Sequence, residues 1–144
     1  MIEPDTIKLL RECDAGVKMG VSSIKDVLDQ VKDPQLRQRL DRCREEHRTL
    51  DRELQKLLAD CHDGGKDPNP MAKGMSWMET QVKLAINQSD ATIAGLMTDG
   101  CNMGVKSLHK YLNQYKAASE EAKDITKRLI ALEEGLTADL RKFL

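Results

Sequence analysis

Apolar residues along this chain recur at steps of three and four, the period of helices packed on one face. Ile7, Leu10, Asp14, Val17, Val21, Ile24, Leu28 and Val31 form one such stripe, with a single carboxylate inside it. Asp33-Pro34 predicts the end of that helix and the start of another, because Asp caps a helix N-terminus and Pro suits its first turn. The second stripe is Leu36, Leu40, Cys43, His47, Leu50, Leu54 and Leu57. Its outer face mixes Arg37, Arg39, Arg42, Arg44, Arg48 and Arg52 with Glu45 and Glu53, the composition of a solvated surface.

Two glycines and two prolines between Asp63 and Pro70 predict a loop. A shorter helix follows at about Met71 to Ile86, with Met75, Met78 and Val82 on one side and Trp77 among them. It reads as a connector packed on the bundle. Asn87-Gln88-Ser89-Asp90 predicts a break and a new cap. The third long helix then runs from about Asp90 to Tyr115, and the fourth from about Ser119 to the end. Ser119, Glu120 and Glu121 give the fourth an acidic start that suits the helix dipole. Its stripe is Ala122, Thr126, Leu129, Glu133, Leu136, Leu140 and Phe143.

The long helices repeat. Met19-Gly20-Val21 matches Met103-Gly104-Val105 at an offset of 84, as do Gly16 with Gly100, Leu28 with Leu112 and Gln30 with Gln114. Helices two and four match at an offset of 86, through Leu50 with Leu136, Leu54 with Leu140 and Lys56 with Lys142. The expected architecture is all-α: one domain, 1–144, in which two copies of one helical hairpin (5–62 and 90–144) form an antiparallel four-helix bundle. A long crossover, 63–89, carries the shorter helix between them.

Composition narrows the function without naming it. The net charge is −1 and aromatics are only 3%, a balance that favours neither nucleic acid nor an anionic membrane as partner. No apolar run approaches the ~18 residues of a membrane span. The start, MIEPDT, carries acids where a secretion signal is basic and then apolar, so a cytoplasmic location is expected. Cys13, Cys43, Cys61 and Cys101 form no Cys-x-x-Cys pair and are expected to be reduced, with Cys43 and Cys101 as small core residues. No Gly-rich phosphate loop is present, since Gly100 and Gly104 lie inside a helix, where glycines allow close approach of a neighbour. His62 and His109 read as surface residues.

Several short patterns resemble uncharacterised bacterial ferritin-like proteins. They are Trp77 with Lys83-Leu84-Ala85-Ile86, then Asp90-Ala91-Thr92-Ile93, Asp99-Gly100-Cys101, Asp14-Ala15-Gly16 and Asp139-Leu140-Arg141. The resemblance implies a ferritin-like fold far more than an activity. Di-iron members of that superfamily place a Glu on each of two helices and Glu-x-x-His on each of the other two. Here Arg44 precedes His47 by three residues and Leu136 follows Glu133 by three, so that ligand set is broken.

Polar residues nevertheless fall on the core stripes. Asp14, His47, Thr98 and Glu133 are each expected near mid-bundle. Two readings follow. In one, His47 bridges Asp14 and Glu133 in a hydrogen-bonded layer that fixes helix register, and removing one member strands the others. In the other, Asp14, His47 and Glu133 hold a single divalent metal such as Fe, Mn or Zn, with Glu46 or Asp99 nearby. The function expected is a non-catalytic structural or interaction bundle with no cofactor, a possible homodimer and an unknown protein partner. The alternative is a degenerate metal-binding or redox-linked protein.

Overall fold

The protein is seen here as a computed structural model that describes residues 2–65, 81 and 88–144. Four long helices make up the described part: α1 (Pro4–Leu28), α2 (Pro34–Asp60), α3 (Asp90–Gln114) and α4 (Glu120–Leu140). A 3-10 turn, Arg141–Phe143, ends the chain. The expected helix at Met71 to Ile86, with Trp77 and its methionines, lies outside the described residues apart from Gln81.

Helix ends follow the local chemistry. The Asp33 carboxylate accepts from the Gln35 and Leu36 amides, with Pro34 as the first helical residue of α2. Ser89 caps α3 through the Thr92 amide, and Ser119 caps α4 through the Ala122 amide. Asp90 does something else. Its carboxylate accepts from the Lys32 and Asp33 amides and so fastens α3 to the α1–α2 turn. At the far end, the Ser119 amide donates to the Thr6 hydroxyl, and the Ala117 amide donates to Asp5.

These contacts fix the helix directions. Thr6 meets Ser119, Cys13 meets Thr126, and Gly16 faces Leu129, so α1 and α4 run parallel. Glu53 pairs with Arg128 while Arg39 and Arg42 pair with Asp139, so α2 and α4 run antiparallel. Residues 61–89 therefore join opposite ends of the bundle.

Burial is broader than a single stripe on α1. Leu9, Cys13 and Val27 are enclosed, whereas Ile7, Val21 and Leu28 are half-buried. The reason is that α1 packs against three helices, which cover a wider arc than one neighbour would. The apolar core divides in two along the bundle. One cluster holds Ile24, Leu36, Leu40, Cys43, Met97, Cys101, Leu136 and Leu140. The other holds Leu9, Cys13, Val17, Leu50, Leu54, Leu108, Ile125, Leu129 and Ile130.

Candidate functional site

The gap between the two clusters falls at Gly20 on α1, His47 on α2, Gly104 on α3 and Glu133 on α4. His47 and Glu133 are both enclosed, with 2% and 8% of their surface exposed. Each presses against a glycine of its neighbour. A Cβ on Gly20 would stand 2.8 Å from Cδ2 and Nε2 of His47, and one on Gly104 would collide with the Glu133 carboxylate. Missing side chains on α1 and α3 are what admit an imidazole and a carboxyl group to mid-bundle.

His47 Nδ1 lies 2.8 Å from the Cys43 carbonyl oxygen. A carbonyl only accepts, so Nδ1 carries the proton and Nε2 carries a lone pair. That Nε2 is buried without a hydrogen-bond partner among the described residues, and so is Glu133 Oε2. Burial lowers the His47 pKa, although the Cys43 carbonyl and the Glu46 charge pull the other way. Burial pushes the Glu133 carboxyl up to about 8. Nearby, burial also raises the Cys43 thiol to about 12 and raises Cys101 further, with the Glu133 charge adding to both and Arg39 opposing. At neutral pH the protonated acid, the neutral imidazole and the two thiols make this layer polar but uncharged.

Asp14 is elsewhere. It is 0% exposed, and its carboxylate accepts from Gln55 Nε2 at 2.7 Å and Lys18 Nζ at 2.8 Å. Gly65, at φ +85°, closes over it so tightly that a side chain there would clash with the carboxylate. In the antiparallel hairpin Asp14 faces Gln55, which lies eight residues beyond His47 on α2, or ~12 Å along the axis. The expected bridge from Asp14 through His47 to Glu133 is therefore not formed. Thr98 donates its hydroxyl to the Ala94 carbonyl of its own helix. Glu46 reaches Arg39 and Arg42 at the surface, and Asp99 is exposed. Among the described residues no group of three or more His, Cys, Asp and Glu side chains gathers as a metal site would require. A hollow of about 390 Å³ opens at the bundle end between Thr6, Leu10, Leu57, Cys61, Ser119 and Ala122, and no candidate residue lines it.

Against family models, curated proteins and solved structures, the chain finds no match. The site is thus characterised by its own geometry. Sequence periodicity placed His47 and Glu133 in the core, but the partners of Asp14 were missed. Lys18, four residues on, was the available signal, since an i,i+4 pair faces the same side. Gln55 and Gly65 carried no local signal at all.

Proposed function

We propose that this chain is a ferritin-like bundle of two copies of one hairpin, acting in the cytoplasm as a non-catalytic structural or interaction protein that pairs as a homodimer. The observation that carries the reading is the uncharged mid-bundle layer. Thiol nucleophiles and metal sites call for groups held in their reactive forms: thiolate, carboxylate, or a lone pair converging with others. Burial drives Cys43, Cys101 and Glu133 toward their protonated forms instead. The imidazole lone pair faces a glycine notch rather than a second ligand. Such a layer fits a role in fixing how the helices fit together.

The duplication is supported by pairs that recur at the offsets read in the sequence. Glu53 with Arg128 corresponds to Asp139 with Arg42, and the Asp33 amide on Asp90 corresponds to the Ser119 amide on Thr6. Gly20 with His47 corresponds to Gly104 with Glu133.

The test is metal content and thermal stability of protein purified without a His tag. Under this reading the protein carries no stoichiometric metal, and Fe(II), Mn(II) or Zn(II) leaves the melting midpoint unchanged. A midpoint raised by metal through mass action, and no longer raised in Glu133→Leu, would replace it with the metal-binding alternative.

A further inference from the structure

The hollow at the bundle end is enclosed by the start of α1, the end of α2 and the start of α4. Its volume of about 390 Å³ lies in the range of pockets that hold small organic ligands. Leu10 and Ala122 are buried at its base, and Leu57 is half-buried beside them. Around the mouth stand three exposed carboxylates, Glu3, Asp60 and Glu121, one from each wall. No lysine, arginine or histidine lines it among the described residues. Elsewhere the exposed acids of α2 and α4 meet bases: Asp41 with Arg44, Glu45 with Arg48, Glu53 with Arg128 and Asp139 with Arg39. Glu3, Asp60 and Glu121 make no ion pair or hydrogen bond through their side chains among the described residues.

Local helix chemistry accounts for only one of the three. Glu121 sits in the first turn of α4, where a carboxylate suits the dipole. Glu3 is at the N-cap of α1, but its side chain caps nothing. Asp60 is the last residue of α2, beside the negative pole of the helix, and no basic residue stands in that last turn. A cation at the mouth would offset these charges and the carbonyl end of α2 together. The neighbouring sulfur does not compete. Burial and the charges of Asp60 and Asp63 raise the Cys61 thiol, which stays neutral and adds to the apolar wall. No aromatic ring lines the hollow among the described residues, so the cage that holds quaternary ammonium groups is missing. A primary ammonium instead donates hydrogen bonds through all its N–H groups, and carboxylate oxygens accept them. We infer that the hollow binds an aliphatic primary amine, its hydrocarbon chain on Leu10, Leu57 and Ala122 and its ammonium group among Glu3, Asp60 and Glu121. The site is separate from the mid-bundle layer and goes beyond the structural role proposed above.

Hexylamine, hexanol and hexanoate share a hydrocarbon chain and differ in charge, so together they test the site on the full-length protein. In methyl NMR titrations hexylamine should shift the Leu10 and Leu57 methyls saturably, hexanol more weakly, and hexanoate not at all. Raised salt should weaken hexylamine and leave hexanol unchanged. The three carboxylates are exposed, so Glu3→Gln, Asp60→Asn and Glu121→Gln keep the fold, as unchanged thermal melts would show. Each should weaken hexylamine about two- to fivefold, and the triple variant should bind it no better than hexanol. Ala117→Phe, at an exposed position of the same mouth, should block hexylamine by filling the entrance. Hexanol or hexanoate binding as tightly as hexylamine overturns the inference. So does hexylamine that leaves Leu10 and Leu57 unmoved, or whose binding survives the triple variant undiminished. None of these readouts involves metal content or the mass of the protein, so the structural reading and this one fail independently.

Discussion

At the scale of single residues, the mid-bundle layer makes opposite demands on two titrating groups. Glu133 has a folded pKa of about 8 against an ordinary 4.5. Between those values the folded state binds the extra proton, so the stability this carboxyl supports at acid pH is lost as pH rises through that window. His47 is lowered from 6.5, so its cost is felt as pH falls below that value. From pH 6.5 to about 8 the loss at Glu133 outweighs the small relief at His47, whose unfolded form still sheds protons there, and stability should drop by about 1–2 kcal/mol. Denaturant titrations at pH 6.5 and 8.5 should show this loss in the native chain and its absence in Glu133→Gln. The geometry also reverses an expectation from the sequence. Because Asp14 is satisfied by Gln55 and Lys18, His47→Leu strands no carboxylate and removes a buried unpaired nitrogen. Its melting temperature should be unchanged or higher, where a bridging histidine would have lowered it. The glycine notches are the stricter feature. Gly20→Ala drives a methyl into the His47 ring and should cost about 1–3 kcal/mol by thermal melts. Gly95→Ala meets open space and should gain about 0.5–1 kcal/mol from helix propensity.

Elements are joined by hydrogen bonds that reach across hairpins, not only by caps within them. Asp90 accepts two backbone amides from the α1–α2 turn. Asp90→Ala leaves the part-buried Asp33 amide unpaired and should destabilise by about 1–2 kcal/mol. Thr6→Val removes the corresponding neutral acceptor from Ser119 and should cost less, because the carboxylate bonds are charge-assisted. Ser119→Ala removes the cap of α4, at about 1 kcal/mol. Chemical denaturation of the three variants ranks them. An Asp90→Ala chain as stable as the parent would show that the turn is held by packing alone. The caps were legible in the sequence because capping is local: the Asp, Ser or Pro lies within three residues of the amides it serves. The reach of Asp90 to Asp33 was not legible, because nothing within α3 says which turn lies beside its first residue.

For the whole molecule, the clasp of Glu53 and Arg128 joins the hairpins over a partly exposed surface. The hydrogen bonds from Arg128 hold the Glu53 carboxyl below its usual range and raise the guanidinium in turn. Solvent screens such a pair, so a double-mutant cycle between Glu53→Ala and Arg128→Ala should give a coupling of about 0.5–1 kcal/mol that shrinks in high salt. The larger share of the hold between hairpins comes from the two apolar clusters that surround the polar layer. Leu54 and Leu129 are fully enclosed in one of them, and truncating either to Ala should cost about 2–5 kcal/mol, severalfold more than the clasp.

The sequence by itself determined four long helices, the cap at Asp33, a new helix start within 87–90, the acidic start at Ser119, and the enclosure of His47, Asp14 and Glu133. Each of these depends on the period of one helix or on a few adjacent residues. Where the polar groups meet was decided by tertiary structure. A stripe fixes the face of a helix and a height along it, yet the residue opposite depends on the neighbour's rotation and register. Asp14 and His47 share the core side of one hairpin, but antiparallel packing sets Asp14 against Gln55 and Gly65, and His47 against Gly20. Gly104 became a seat for Glu133 only because α4 passes it at that height. The apolar pattern needs only a buried side, whereas a hydrogen bond needs its partner within about 3 Å, and the helix packing that brings partners together is a property of the whole fold.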